Sequence, residues 1–591
     1  MTLSEVRRVD LSRAGLAAWG PEDPRHSNWP VVYVLDGPPQ TRSAGTRMDE
    51  VYVGESLNAA GRLRQHLDSE QRGHLATARV IVGDTFNKSV CLDFESRLIK
   101  LFSGDGAYEV LNRNIGITNA EYFDRVAYTA QFETVFEQLR EDGLFHRSID
   151  EIQNTDLFKL SPFKALTRDQ ELAIEGVLEA LVHDLRGGAA STTVIQGEPG
   201  TGKTVVAIYL LKLIADVDRL EPEDVVDSDS LFVEYFLGEH REALSGLRTG
   251  LVIPQQSLRR SVERVFASTP GLHGVAVLSP FDVGDGEEHF DLLVVDEAHR
   301  LNQRANQASG PLNTNFREIT TRLYGVDDTT KTQLDWIRSR STHQILLIVP
   351  AQSVRPSDLP ATTVTRLLDD ARRSERLHPL MSQMRVAAGS DYVGHVRRLL
   401  GATSSALPEQ PSSAESLGEY EFRMFDDVAA MHDAIRDRDR RHGLSRMVAG
   451  YAWRWVSKKD AAAFDIRLGD YRARWNSTSR DWISSPGALE EVGSIHTVQG
   501  YDLNYAGVII GPDLRYDVER GRLTMDRASY FDKKGRENNP TLGITYSDED
   551  LRLLISNVYA VLLTRGIRGT FVHVVDPALR DHLRRFIPAA E

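Results

Sequence analysis

"TTVIQGEPGTGKTVVAIYLLKLI", residues 192 to 214, decides the fold of the larger part of this chain. The stretch reads as a strand, TTVIQ, a glycine-rich loop, GEPGTGKT at 197 to 204, and a helix, TVVAIYLLKLI. The loop fits the pattern G-x-x-x-x-G-K-[ST]. In that pattern Gly197, Gly200 and Gly202 let backbone N–H groups close around phosphates at a helix N-terminus. Lys203 then brings a point charge to the β and γ phosphates, and the Thr204 hydroxyl ligates Mg²⁺. A chance match in a glycine-containing loop is the competing reading, and the strand before the loop and helix after it weigh against it.

About 90 residues further on, DLLVVDEAHRL at 291 to 301 sets Asp296 and Glu297 at the carboxyl end of a buried strand, where ligands bind in open α/β sheets. Asp296 would hold the Mg²⁺, directly or through water, and Glu297 would orient and deprotonate an attacking water. The acidic pair could instead cap the next helix. From residue 166 onward helical stretches alternate with TTVIQG, TGLVIP, DLLVVDE, HQILLIVP, SRMVAGYA, AGVIIGP and GTFVHVV. Such alternation means βαβ units, and the number of strands predicts two parallel sheets.

With these residues in view the chain resembles the superfamily 1 helicase-like ATPases over residues 166 to 575. LTRDQ, 166 to 170, looks like an adenine-reading motif with Gln170 as reader. PQQSLRRSV, 254 to 262, looks like a strand-contacting motif, and PAQSVRP, 350 to 356, like the motif whose Gln352 senses the γ-phosphate. LMSQMR, IHTVQGYDLNYAGVIIGPDL and VYAVLLTRGIRG look like the motifs of a second RecA-like lobe. The resemblance implies that Arg385 and Arg565 reach the γ-phosphate from that lobe, where a cation meets the charge developing on the transferred group and couples hydrolysis to cleft closure. More narrowly, VQGYDLNYAGVIIGPDL followed by NVYAVLLTRG resembles a bacterial P-loop family catalogued as a domain of unknown function. SLRRSV and DLLVVDE lie close together in the chain, which favours translocation or a nucleotide-driven switch over processive unwinding.

The first 150 residues have a different character. VVYVLDG and DEVYVGES flank a loop rich in Gly, Pro, Thr and Arg, and LNAAGRLRQHL follows, a helix on which Arg62 and His66 share a face. In SVCLDFESRLIKLF, residues Cys91, Phe94, Leu98 and Leu101 form the buried stripe with Glu95 at its margin; YEVLNRNIG then brings Asn112 near a turn. Tyr33, Tyr52, Arg62, Glu95 and Asn112 in this order resemble the GIY-YIG nuclease domain. The resemblance implies Glu95 as the single carboxylate ligand of Mg²⁺ or Mn²⁺, Arg62 on the scissile phosphate, Tyr33 or Tyr52 helping to activate water, and His66 and Asn112 in support. Taken singly, the tyrosines also read as cross-strand aromatic partners and Glu95 as a solvated helix residue.

Composition bounds the rest. A chain of 591 residues exceeds one hydrophobic core and predicts three domains, drawn at 1–150, 151–370 and 371–591. The expected fold class is α/β, a small GIY-YIG-type α/β domain followed by two RecA-like parallel-sheet lobes. No apolar run reaches the roughly 18 residues of a membrane span, and the N-terminus has no apolar core of a signal peptide. A single cysteine excludes a disulfide scaffold and a Cys-based zinc site, so the expected location is the cytoplasm. Net charge of −15 argues against coating nucleic acid by bulk electrostatics but permits a local groove. DVDRLEPEDVVDSD, 216 to 229, reads as a solvated insertion, and 402 to 418 as a Ser/Pro-rich loop. Trp453, Trp455 and Trp475, interleaved with Arg454, Arg472 and Arg474, read either as base-stacking or as packing residues.

The resulting expectation is an ATP-dependent nucleic-acid-processing enzyme with a nuclease head, using ATP and Mg²⁺, with DNA preferred to RNA as partner and no membrane. The alternative is a nucleotide-gated binding or signalling ATPase whose nuclease-like domain does not cut.

Overall fold

The computed structural model describes residues 4–39, 48–69, 72–112, 121–219, 232–304, 307, 309–349, 357–382, 392–401, 420–478, 482–498, 502–532, 536, 538, 542–543 and 545–590. The chain forms two compact units. One comprises Met1–Glu171, Ile208–Gly246 and Ser261–Val275, the other Leu172–Ala207, Leu247–Arg260 and Ala276–Glu591.

The first unit is built on strands β1 (Glu5–Asp10), β2 (Val31–Gly37), β3 (Asp49–Ser56), β4 (Thr77–Val82) and β5 (Tyr108–Val110), in the order β1-β4-β2-β3-β5. Strand alternation divides their side chains between two cores. Val32, Val34, Val51 and Val53 pack with Cys91, Phe94 and Leu98 of the helix Lys88–Asp105. Val31, Tyr33 and Leu35 pack with Ala59, Ala60 and Leu63 of the helix Ala59–Leu67. Each fully buried Val or Leu contributes about 1.5–3 kcal/mol, so both faces fix the register of β2 on β3. That register sets Tyr33 opposite Gly54 and Leu35 opposite Tyr52. β1 escaped the sequence reading because EVRRVD is largely solvent-facing and carries little apolar alternation.

The second unit contains two parallel sheets. The first takes β6 (Ser191–Gly197), β7 (Thr249–Val252), β8 (Ala276–Leu278), β9 (Phe290–Val295), β10 (Ser341–Ile348) and β11 (Leu377–Leu380) in the order β11-β6-β10-β9-β7-β8. All its pairings are parallel. The second takes β12 (Glu421–Met424), β13 (Ser445–Ala449), β14 (Ile466–Leu468), β15 (Tyr471–Trp475), β16 (Glu491–Ser494), β17 (Leu503–Ile510) and β20 (Gly566–Val574), in the order β12-β20-β17-β13-β16-β15-β14. β14 joins antiparallel at its edge. A separate antiparallel pair, β18 (Leu514–Asp517) and β19 (Arg522–Met525), lies between β17 and the helix Asp548–Leu563 in sequence. Each of the seven apolar runs read from the sequence is a strand of one of these two sheets.

One expectation changes. Residues 216 to 219 are not a solvated insertion; they complete the helix Lys203–Arg219, where Asp216 is buried and ion-paired with the equally buried Lys212. Four residues separate the two, so they share a face, and a buried carboxylate persists only when paired. Residues 220–231 and the Ser/Pro-rich loop lie outside the described residues. Among the described residues no helix is long and apolar enough to cross a membrane.

Candidate functional site

The phosphate loop leaves β6 and enters the helix Lys203–Arg219. Gly200 has φ +91° and Gly202 φ +77°, a backbone region that glycine enters without steric cost. At Gly197 an added Cβ would stand 2.5 Å from the Thr201 hydroxyl. Lys203, buried, donates through Nζ to the carbonyls of Gly197 (3.0 Å) and Glu198 (2.9 Å). Its ammonium therefore lies inside the turn of the loop.

The acidic pair follows β9, and parallel pairing of β9 to β10 and of β10 to β6 brings the strand ends together. Thr204 Oγ1 donates to Asp296 Oδ2 at 2.6 Å, and the Glu297 N–H donates to Asp296 Oδ1 at 2.9 Å. A hydroxyl and a carboxylate so close are the hard oxygen donors that suit Mg²⁺. Glu297 sits in the left-handed region at φ +50° and precedes the turn Ala298–Arg300 without a side-chain capping bond, which removes the capping reading of the pair. A non-glycine residue there costs about 1 kcal/mol or more and turns the side chain toward its own neighbours. Arg300 Nε lies 3.1 Å and His299 Nε2 3.4 Å from Glu297 Oε2. The Val349 N–H donates to His299 Nδ1 at 3.3 Å, which leaves the ring proton on Nε2, facing Glu297.

The pair is electrostatically split. Burial and the adjacent Glu297 push the Asp296 carboxyl up, against its bond from Thr204 and the charge of Lys203. Burial alone would also raise Glu297, but His299, Arg300, Lys203 and Arg565 outweigh it and hold that carboxyl well below its usual range. Arg565, buried, stands at the turn between the helix Asp548–Leu563 and β20, so a residue of the second parallel sheet acts on the acidic end of the first. The arrangement keeps Glu297 ionised beside Lys203 and Arg565, the setting required of a group that orients water toward a phosphoryl centre.

Two residues near this site had no signal in the sequence. Arg397, on the helix Tyr392–Leu399, meets the loop residue Glu198 in an ion pair of 2.7 Å. His299 was read only as part of the DEAH run. Arg385 and Gln352 lie outside the described residues, as does the side chain of His496. Gln170 is buried at the start of the helix Arg168–Gly187, its Oε1 accepting from the Thr167 N–H at 3.0 Å.

In the first unit Tyr33, Tyr52, Arg62 and His66 come together. Tyr33 and Tyr52 have ring centroids 6.3 Å apart, and the His66 ring lies 5.5 Å from the first and 5.2 Å from the second. The Tyr33 hydroxyl is bonded to His66 Nε2 at 2.8 Å, and the Arg72 guanidinium covers the Tyr52 ring at 4.1 Å. Gly54 makes room for this: a Cβ there would stand 2.3 Å from the Tyr33 hydroxyl. Burial pushes the Tyr33 phenol up, as does Tyr52, while Arg62 bonded to it pulls the other way. Burial, with Arg72 and Arg62, holds His66 neutral down to about 3. Burial and then Glu55 push the Glu95 carboxyl up to about 8, with Lys88 opposing. Glu55, on β3, is the residue the sequence reading missed; Lys88 Nζ stands 3.4 Å from its Oε1. Asn112 bonds both backbone groups of Val53, accepting from its N–H (2.9 Å) and donating to its carbonyl (2.7 Å). Among the described residues no group of three or more His, Cys, Asp or Glu side chains gathers around one point.

The tryptophans pack. Trp475 is buried, with Trp453 at 6.3 Å and Tyr451 at 5.6 Å, and Trp455 joins the same cluster. Arg454 lies over Phe531 and Arg474 over Phe464.

A family model described as "Schlafen group 3, DNA/RNA helicase domain" matches residues 190–576. The chain belongs to this family. Its Schlafen group 3 helicase domain thus begins one residue before β6 and runs through β20, taking in the phosphate loop, the acidic pair and Arg565. The helicase-like reading of this region holds; the N-terminal sheet precedes the match. Among curated relatives, "Uncharacterized protein YPL245W" of Saccharomyces cerevisiae is 27% identical over 417 residues, which cover 66% of this chain and 83% of that protein. A solved structure described as "Structural Basis for DNA Unwinding at Forked dsDNA by two coordinating Pif1 helicases" aligns at 10% identity and a TM-score of 0.24, over 71% of this chain and 97% of the other, a likeness too loose to support inference.

Proposed function

We propose that the Schlafen group 3 helicase domain hydrolyses ATP to drive a nucleic-acid-processing enzyme, with the N-terminal unit as a GIY-YIG-type endonuclease. The observation carrying the ATPase reading is the Thr204–Asp296 bond of 2.6 Å beside a phosphate loop whose turn holds the Lys203 ammonium, with Lys203 and Arg565 both adding positive charge at Glu297. Gly197, Gly200, Gly202, Lys203 and Thr204 would cradle the phosphates, with Gln170 and Gln352 as readers of base and γ-phosphate and Arg385 as a further cation. Thr204 and Asp296 would hold Mg²⁺, which when bound neutralises charge on the phosphate oxygens. Glu297, kept ionised, orients the attacking water and takes its proton. Arg565 meets the charge that develops as the phosphoryl group leaves.

In the nuclease reading Glu95 would hold the divalent ion, Mg²⁺ or Mn²⁺, and the oxygen donors of Glu95 and neighbouring Glu55 fit such an ion. Arg62 would hold the scissile phosphate, and a tyrosine would pass the proton of water onward, with His66 and Asn112 in support. DNA is the preferred substrate over RNA, and phage defence or DNA restriction and repair are the biological settings that a motor joined to a cutter suits. One observation favours the alternative of a nucleic-acid-gripping module that does not cut: Tyr33 is buried and its hydroxyl already engaged by His66.

The decisive experiment measures ATP turnover and strand integrity together, with Mg²⁺ or Mn²⁺, over single- and double-stranded DNA and RNA. Turnover that depends on Lys203 and responds to nucleic acid supports the ATPase reading; cleavage lost in Glu95→Gln supports the nuclease. Binding without cleavage by the wild type selects the alternative, and turnover indifferent to every nucleic acid rejects both.

A further inference from the structure

Glu198, second residue of GEPGTGKT, is held from two sides. Its backbone carbonyl accepts from Lys203 Nζ at 2.9 Å and from the Thr201 hydroxyl at 2.9 Å. Its carboxylate meets Arg397 Nη1 at 2.7 Å. Arg397 is nearly buried, and the Glu198 Oε2 atom it meets is buried too, although the rest of Glu198 is half exposed. The helix Tyr392–Leu399 that carries Arg397 belongs to the body of the second parallel sheet. Tyr392 donates to the Leu563 carbonyl at 2.9 Å, and Val396 and Leu399 are in that sheet's core. Beside Glu198, Pro199 enters a crevice formed with Val393, Arg397, Ala560, Val561 and Thr564, the last adjoining Arg565.

We infer that Arg397 is a positioning residue of the nucleotide site: by pairing with Glu198 it ties the phosphate loop of the first parallel sheet to the second, so that closure of the cleft fixes the loop. The inference rests on the ATPase reading above. Arg397 touches neither phosphate nor water in this scheme; it acts through Glu198. The loop is ion-paired to the second sheet's body, whose Arg565 adds positive charge at Glu297, so the pair adds to the stability of the closed arrangement. Removing it lowers the closed fraction, and apparent nucleotide affinity falls in the same proportion. Because Glu198 is partly solvated, screening limits the effect to about three- to tenfold.

The test compares Glu198→Gln, Arg397→Gln and the charge-exchanged double variant E198R/R397E in the full chain, reading KM and kcat for ATP and the Kd of a slowly hydrolysed ATP analogue. Each single variant should raise KM and Kd about three- to tenfold with kcat at saturation changed less than twofold, and the double variant should recover most of the loss. Arg565→Ala, which removes a direct contact to reacting atoms, should do the opposite, lowering kcat at near-constant KM. Thermal melting accompanies each measurement, and Arg397→Lys, which retains the charge, should restore KM in part if Arg397→Gln folds poorly. Single variants with wild-type KM and Kd, or losses that the exchanged pair does not recover, overturn the inference. A wild type without ATP turnover overturns the ATPase reading beneath it instead.

Discussion

The two charged clusters of this molecule handle buried carboxylates in opposite ways. In the helicase domain the acidic pair is compensated by the protein: Asp296 takes hydrogen bonds from Thr204 and from the backbone, and Glu297 has Arg300, His299, Lys203 and Arg565 about it. In the N-terminal unit Glu95 is pushed up to about 8 by burial and by Glu55, and only Lys88 opposes. The first cluster can keep its working carboxylate ionised unaided. The second holds negative charge only at a cost, which a divalent cation or a proton would relieve.

The largest expected effects break the first cluster. Lys203→Ala should leave no ATP turnover above background, and Arg565→Ala should lower kcat by about a thousandfold. If cleavage by the N-terminal unit needs no ATP, it should survive both changes, which would separate the two sites cleanly. Stability measurements in metal-free buffer probe the contrast next. Glu297→Gln takes the carboxylate away from buried Arg300 and should cost about 3 kcal/mol by denaturant unfolding. Glu95→Gln replaces a carboxyl that burial and Glu55 keep largely protonated at neutral pH and should cost nothing, or stabilise by up to about 1 kcal/mol. Equal losses at the two positions would dissolve the comparison.

Gly54→Ala tests the packing of the second cluster. The new methyl overlaps the Tyr33 hydroxyl and forces ring or strand to move, for a loss of about 1–3 kcal/mol read as a lowered midpoint in urea. At neutral pH the smallest effect is that of protonation. His66 is held neutral in the folded chain down to about 3, below the ordinary histidine value of 6.5. Between those values the unfolded chain binds a proton that the folded chain does not, so stability falls as pH drops through this window. His66→Gln should flatten that part of the stability profile relative to wild type.

How much of this was legible beforehand follows from what each feature demands of the sequence. The phosphate loop and the acidic pair were readable because their chemistry needs particular residue types at fixed spacing on a strand, a turn and a helix. The seven apolar runs were readable because strands buried on both faces leave no room for polar alternation. Arg397 and Glu55 were not, because each acts by pairing with a residue far from it in the chain, and a lone arginine or glutamate has no local signature. The helix end at Asp216 was misread because its carboxylate looks solvated until the partner Lys212 is recognised one turn earlier. Glu297 needed coordinates: its left-handed backbone, which aims the carboxylate at Arg300, cannot be inferred from composition.

The paired hydrogen bonds between Asn112 and Val53 matter beyond the nuclease question. Among the described residues β5 pairs with β3 from Asp49 to Val51, and the next backbone groups of β3 on that side are those of Val53, which is buried. By offering its amide as a substitute peptide, Asn112 occupies both groups at Val53. Both bonds lie away from water, where an orphaned backbone N–H or C=O costs about 1–3 kcal/mol. A single side chain satisfies both, so Asn112→Ala should speed amide exchange at Val53 and lower the midpoint in urea.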